Sequence, residues 1–225
     1  MDQTILITII LLVIINSYGF IYSYLITNKS ILLNKRIQTK RMGLDILKKR
    51  TPLVLFNMSI LIILNCLGLY YFKEYYIKEY VGMIVVFFEV VFILVIDDMF
   101  FYILHRLMHE NKFIYRKIHK IHHRANTPIP IDYIYVHPLE WSSGMIGPFI
   151  GMFMLGGISI YSFWIYLILR NLHELHIHSG IATSFFTRII PFYGDNEHHD
   201  VHHSIRDGNY SSTFVFWDKL LKTKL

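Results

Sequence analysis

All 13 histidines of this 225-residue chain lie between residues 105 and 203. They come in boxes: His105 and His109, then His119, His122 and His123, then His198, His199, His202 and His203. If the last box is helical, His199, His202 and His203 share one face, and His198 lies about 100° from His199. Packing explains four imidazoles in six residues poorly, whereas a face of imidazoles suits a borderline transition metal such as iron or zinc. Boxes this far apart in sequence can serve one centre only if the fold returns them to one place. In an apolar chain, that place must lie on one side of a bilayer.

The chain is that apolar: 54% of its residues are hydrophobic and its mean hydropathy is +0.41. Three runs, Thr4–Ile26, Leu53–Phe72 (introduced by Pro52) and Val81–Leu104, each approach the roughly 20 residues that span a hydrocarbon core. The first has only Asp2 before it, with no basic start and no cleavage site, so it reads as a membrane helix and not as a signal peptide. Residues 28–50 carry Lys29, Lys35, Arg36, Lys40, Arg41, Lys48, Lys49 and Arg50 against Asp45. A basic stretch can bind nucleic acid, but one placed between two apolar runs reads as a cytosolic loop, so no nucleic-acid partner is expected. The short segment 73–80 is neutral, and three crossings return residue 105 to the cytosolic side. Arg106, Lys112, Arg116, Lys117, Lys120 and Arg124 agree with that placement.

A further apolar stretch, about Ser142 to Leu169, would strand the last boxes across the bilayer if it crossed once. It is therefore expected to enter and leave on one side, bent near Gly156-Gly157. The lone cysteine, Cys66, permits neither an internal disulfide nor a cysteine-based zinc site. The expected architecture is an all-α integral membrane protein. It has about four transmembrane helices or helical hairpins and a cytosolic helical cap carrying a histidine-rich dimetal site. Residues 1–80 form an N-terminal transmembrane hairpin with its basic loop, and 81–225 a catalytic domain.

Nine histidines are the candidate metal ligands: His105, His109, His119, His122, His123, His178, His199, His202 and His203. One tetrahedral or octahedral ion cannot use nine donors, so two metals are implied. With no thiolates, iron suits redox chemistry, while zinc on the same rings would make a non-redox membrane protein. Asp98 falls on the face of His105 and His109 and is expected to accept a ligand's free ring N–H; pairing with Arg106 or capping is the bland alternative. Among His173, Glu174 and His176 the spacing does not choose a ligand. His137 and Glu140 read equally as a helix cap with Pro138 at its first position or as a ligand pair. His198 and Asp200 border the last box as ligands or supporting groups.

These pieces resemble the fatty acid hydroxylase / sterol desaturase superfamily of membrane di-iron enzymes, most closely the methylsterol (C-4) oxidases. The resemblance runs over about residues 97–221. It rests on Phe101-Tyr102-Ile103-Leu104-His105-Arg106-Leu107-Met108-His109, on Tyr115 to His123, and on Val136-His137-Pro138-Leu139-Glu140. His178-Ser179-Gly180, Ile190-Pro191-Phe192-Tyr193, His198 to His203, Gly208-Asn209-Tyr210 and Phe216-Trp217-Asp218-Lys219 complete it. It implies two Fe²⁺ ions, O₂ as oxidant, and electrons from NAD(P)H through a separate cytochrome b5-type donor. The substrate would be a membrane lipid: preferably a sterol 4-methyl group, alternatively a fatty-acyl or sphingolipid chain to hydroxylate, or a sterol to desaturate. In a eukaryote the compartment would be the endoplasmic reticulum membrane, with the boxes cytosolic. The chain departs from the pattern at His173 and His176, where methylsterol oxidases tend to have acids, and at Lys222, where glycine is usual.

Overall fold

A computed structural model describes residues 2–28, 33–38, 43–183 and 192–225. Of the sequence features above, Lys29, Lys40, Arg41, Ile190 and Pro191 lie outside the described residues. The described chain is mostly helical. Helix α1 (Gln3–Asn28) packs against α2 (Leu44–Tyr71), and α3 (Met83–Glu110) follows. Then come the short α4 (Lys112–Lys117), two 3-10 turns (His119–Arg124 and Pro130–Ile134), α5 (Pro138–Gly144) and α6 (Ile146–Met154). The long α7 (Ile160–Ile177), α8 (Asn196–Ile205) and α9 (Phe216–Leu220) end the chain. A two-residue parallel pairing joins β1 (Tyr76–Ile77) to β2 (Ile158–Ser159).

Helices α1 and α2 are long and apolar enough to cross a membrane. Their faces are inverted relative to a water-soluble protein. On α1 the buried positions include Thr8, Asn16, Gly19 and Ser23, while Ile10, Val13, Ile14 and Ile21 are exposed. On α2, Arg50, Asn57 and Asn65 are buried while Leu55, Phe56 and Ile63 are exposed. Small and polar residues at helix contacts with apolar residues outside are the pattern that a hydrocarbon solvent favours. Helix α3 is as long as α2 but carries Glu89, Asp97 and Asp98. All three are satisfied by the protein: Glu89 accepts from Ser159 N–H (2.9 Å) and the Ser162 hydroxyl, Asp97 pairs with Arg170, and Asp98 binds backbone N–H groups.

The inward polar groups of α1 and α2 grip the 3-10 turn 130–134. Ser23 Oγ accepts Ile131 N–H at 2.9 Å, and Asn57 Nδ2 donates to the carbonyls of Ile134 and Val136 at 2.9 and 2.8 Å. Arg50 forms a buried ion pair with Asp132. This corrects the expected start of the second run. Helix α2 begins at Leu44 with Pro52 inside it, so Lys48, Lys49 and Arg50 are helical. Extending the helix is what carries Arg50 to Asp132.

The stretch 142–169 folds back on itself. Helix α6 ends at Met154, Gly156 and Gly157 adopt φ of +71° and +125°, and α7 returns. At Gly157 a Cβ would sit 3.0 Å from the Tyr75 carbonyl, so both the backbone conformation and the space call for glycine. Helix α6 packs on α3 at Gly147, whose missing Cβ leaves room for Asp97. A nine-residue helix reaches only about 14 Å, about half a hydrocarbon core.

Candidate dimetal centre

Each histidine box sits on an element whose geometry aims it. His105 and His109 are one turn apart at the end of α3. The second box is a 3-10 turn, His119–Arg124. At about 2 Å rise per residue, a 3-10 turn sets His119 and His122 about 6 Å apart along its axis, and their ring centroids are 5.6 Å apart. His178 caps the C-terminus of α7. Helix α8 is started by Asp195, whose side chain accepts His198 N–H at 2.7 Å, and stopped by Arg206 in the left-handed region.

Nine histidines thereby converge into two adjoining groups. One holds His105, His109, His119, His123 and His202; the other holds His122, His178, His199 and His203. Within each group the candidate donor atoms all lie within 4.8 Å of one another. In the first group the Nε2 atoms of His109, His119 and His123 form a triangle with edges of 2.8, 3.0 and 3.0 Å, and His105 Nε2 is 3.1 Å from that of His119. In the second, His199 Nε2 is 2.9 Å from that of His178 and 3.0 Å from that of His203.

Hydrogen bonds cannot account for these contacts. A neutral imidazole has one N–H, and several of these rings already spend it elsewhere. His105 Nδ1 is 2.7 Å from the Tyr210 carbonyl, His202 Nδ1 is 2.8 Å from that of Gly208, and His178 Nδ1 is 2.8 Å from that of Glu174. His119 Nδ1 is 2.8 Å from Glu140 Oε1. Each such bond turns the Nε2 lone pair inward, and the buried Nε2 of His202 has no partner among the described residues. Burial first, then the neighbouring imidazoles, hold His119, His122, His199 and His203 well below the ordinary histidine range. The rings are therefore neutral donors facing one another, an arrangement that cations at the two foci would resolve. With metal–imidazole bonds of about 2.1 Å, right-angle ligands lie about 3.0 Å apart and tetrahedral ones about 3.4 Å. The shortest separations, 2.8–3.1 Å, and the 4.8 Å limit within each group are of the size that donors around one ion have.

The remaining candidates fall outside the two groups. Both ring nitrogens of His173 are engaged, with the Tyr193 hydroxyl at 2.5 Å and the Ser212 carbonyl at 3.1 Å. His176 faces Tyr18 and Tyr22 across a hollow beside α1. Glu174 pairs with Arg170 and lies 3.6 Å from His178 Nδ1. His137 caps α5 by accepting Leu139 N–H at 3.1 Å. Asp200 accepts from Gln38 Nε2 at 2.8 Å. His198 leaves the shared face of α8, and its Nε2 is 3.0 Å from Asp218 Oδ2. Asp98 does not take a ring N–H. Its two oxygens accept the backbone N–H groups of Thr213 and Phe214 at 2.7 and 2.9 Å, which satisfies it before any histidine reaches it.

Two features escaped the sequence reading. Asp218 is fully buried and binds His198, the N–H groups of Tyr210 and Ser211, and the Thr223 hydroxyl. Burial opposes its ionisation, but the bonds from His198, Ser211 and Thr223 outweigh it and hold the carboxyl at about 2. The second is a buried chain from Tyr166 and Asp97 through Arg170 to Glu174, with both the Tyr166 hydroxyl and Arg170 Nε 2.9 Å from Asp97 Oδ2. This chain walls one side of a cavity of about 130 Å³ between α2, α5, α6 and α7. Apolar side chains such as Leu61, Phe101, Trp141 and Phe149 line most of the rest, and the cavity reaches His105 and His119 of one group and His122, His178 and His199 of the other.

Fold and site define a class: a helical protein with membrane-type helices, and two groups of buried histidines opening onto an apolar cavity. The chain belongs to the fatty acid hydroxylase family, whose model matches residues 90–223. Methylsterol monooxygenase 1 of Rattus norvegicus is 40% identical over 130 residues, covering 57% of this chain and 44% of the relative. Methylsterol monooxygenase 1 of Gallus gallus is 35% identical over 162 residues, 69% and 54% respectively. The very-long-chain aldehyde decarbonylase GL1-11 of Oryza sativa subsp. indica is 34% identical over 143 residues, 60% and 52%. The chain spans about half the length of the curated relatives it matches. No solved structure matches it.

Proposed function

We propose that this chain is a multi-pass membrane di-iron oxygenase that oxidises a lipid C–H bond, with a sterol 4-methyl group as the preferred target. The observation that carries the reading is the apolar cavity that meets histidines of both groups. His105, His109, His119, His123 and His202 would hold one iron, and His122, His178, His199 and His203 the other. Two irons bound there supply O₂ activation and the electrons' point of entry. The rest is done by the chain: Glu140 holds the His119 N–H, the Tyr210, Gly208 and Glu174 carbonyls hold those of His105, His202 and His178, and the cavity wall excludes water around the lipid.

The cavity is small beside the roughly 300–1,000 Å³ of a typical ligand site. It would take the reacting end of a lipid and leave the remainder between the helices or in the bilayer. The same shape suits a fatty-acyl chain, and the similarity to a very-long-chain aldehyde decarbonylase keeps that second substrate class in view. A zinc-only, non-redox protein is the reading of another class, and metal analysis of active protein separates the two. Reducing equivalents would come from a cytochrome b5-type donor docking on the cytosolic face, near Lys112, Arg116, Lys117 and Lys120. Electrostatic docking predicts turnover that falls as ionic strength rises; salt-independent turnover would contradict it.

The test is lipid profiling of a host lacking its C-4 methylsterol oxidase, with and without this chain. Loss of accumulated 4-methyl sterols on expression supports the sterol reading. New hydroxylated acyl lipids with unchanged sterols would transfer it to acyl chains, and no change in any lipid with iron bound would overturn it.

A further inference from the structure

Both Asp98 and Asp218 are fully buried, and each grips the same short stretch of backbone. Asp218 Oδ1 accepts Tyr210 N–H at 2.8 Å, and its Oδ2 accepts Ser211 N–H at 2.9 Å as well as the Ser211 hydroxyl. Asp98 accepts Thr213 and Phe214 N–H groups with its two oxygens. Four backbone donors within five residues are thus taken by two carboxylates, one from α9 and one from α3. The stretch forms no helix or strand; besides the two carboxylates, an isolated antiparallel bridge pairs Phe214 with Tyr193, and the Thr213 carbonyl accepts Gly194 N–H at 2.7 Å. Gly208 and Asn209 sit at φ of +120° and +53°, the left-handed region that glycine and asparagine enter more readily than other residues. Asn209 is held as well, donating Nδ2–H to the His198 carbonyl at 3.0 Å and N–H to the Thr223 carbonyl at 2.8 Å.

What this backbone presents is specific. The Tyr210 carbonyl faces His105 Nδ1 at 2.7 Å, and the Gly208 carbonyl faces His202 Nδ1 at 2.8 Å. Both rings belong to the five-histidine group. In the four-histidine group, His178 Nδ1 takes a carbonyl of its own helix, and the Nδ1 atoms of His199 and His203 have no hydrogen-bond partner among the described residues, as is also true of His123 in the five-histidine group.

We propose that residues 208–214 form a strap, tensioned by Asp218 at one end and Asp98 at the other, that sets the ring orientation and tautomer of His105 and His202. Asp98 is therefore a positioning residue for one metal of the pair, and Asp218 acts on the same metal through the strap while also reaching α8 through His198. The strap rests on the dimetal reading above and deepens it by making the two metal positions unequal in what supports them. Asp98 acts on the centre through the backbone, although it touches none of its rings.

The test uses the full chain purified in detergent and titrated with Co²⁺. The readouts are the number and affinity of bound ions and the paramagnetically shifted, exchangeable imidazole N–H signals. The wild type is expected to bind two Co²⁺. Asp218→Asn and Asp98→Asn should each lose about 10–100-fold in affinity at one position and keep the other. Two shifted N–H signals, those of His105 and His202, should be lost or exchange quickly while the rest persist. Asp195→Ala, which removes the N-terminal cap of α8, is the comparison: that helix carries histidines of both groups, so it should weaken both positions. Because Asp218 also binds His198 of α8, Asp218→Asn is read against His198→Gln, which loosens only that contact, whereas Asp98→Asn acts through the strap alone. Equal weakening of both positions by a strap variant, or two unchanged positions with all N–H signals intact, overturns the strap and leaves the dimetal reading standing. A wild type that binds no Co²⁺ pair defeats the dimetal reading and the strap with it.

Discussion

His198 and His199 are neighbours in sequence and separate in task. His199 Nε2 points at His178 and His203, while His198 Nε2 points the other way, to Asp218. Replacing His199, His202 or His203 by Gln should remove a donor and deplete metal, by more than the roughly 10–100-fold typical of a supporting group. His198→Gln should keep metal near the wild-type level, measured as iron per chain in purified protein; equal depletion in all four variants would sink the face assignment. Glu140→Gln keeps an oxygen toward His119 but removes the carboxylate, so it should fall in the supporting range of about 10–100-fold in iron affinity. A variant unchanged in affinity would mean that the His119–Glu140 bond does not matter. Spacing alone could group His199, His202 and His203, because residues three and four apart on one helix are neighbours. It could not find Asp218 or reassign Asp98, whose partners lie across the fold at Tyr210, Ser211, Thr213 and Phe214. Nothing local in the chain marks those pairings.

At the scale of elements, the turn 130–134 is the joint between the N-terminal helices and the centre. Its backbone is held by Ser23 and Asn57, its Asp132 by Arg50, and the segment leads directly into α5 with Glu140. Arg50→Ala would leave a buried carboxylate without its partner, a loss of about 3–5 kcal/mol when one member of a buried pair is removed. Thermal unfolding in detergent should show the loss, and Arg50→Ala with Asp132→Asn should recover part of it; a single variant as stable as wild type would show that the pair is dispensable. The length of the apolar runs made α1, the body of α2, and α3 legible, and the pair Gly156-Gly157 marked the bend between α6 and α7. Pro52 misled because proline usually opens a helix, whereas here α2 accepts it in its interior and runs on toward water.

For the whole molecule, the polar-in, apolar-out faces of α1 and α2 suit a hydrocarbon environment, and the proposed centre built from α3, α7, α8 and the turn 119–124 would need those ends on one side of it. A reporter fused after Leu225 should therefore map to the cytosol together with the loop between α1 and α2; a luminal C-terminus would break the hairpin reading of α6 and α7. The two histidine groups are proposed to hold a coupled pair of irons. The direct measurement is Mössbauer spectroscopy of ⁵⁷Fe-loaded protein with parallel metal analysis. The account predicts two irons per chain, spin-coupled when oxidised and depleted of one member in the strap variants. One uncoupled iron per chain, or zinc in both positions of a catalytically active preparation, would contradict it.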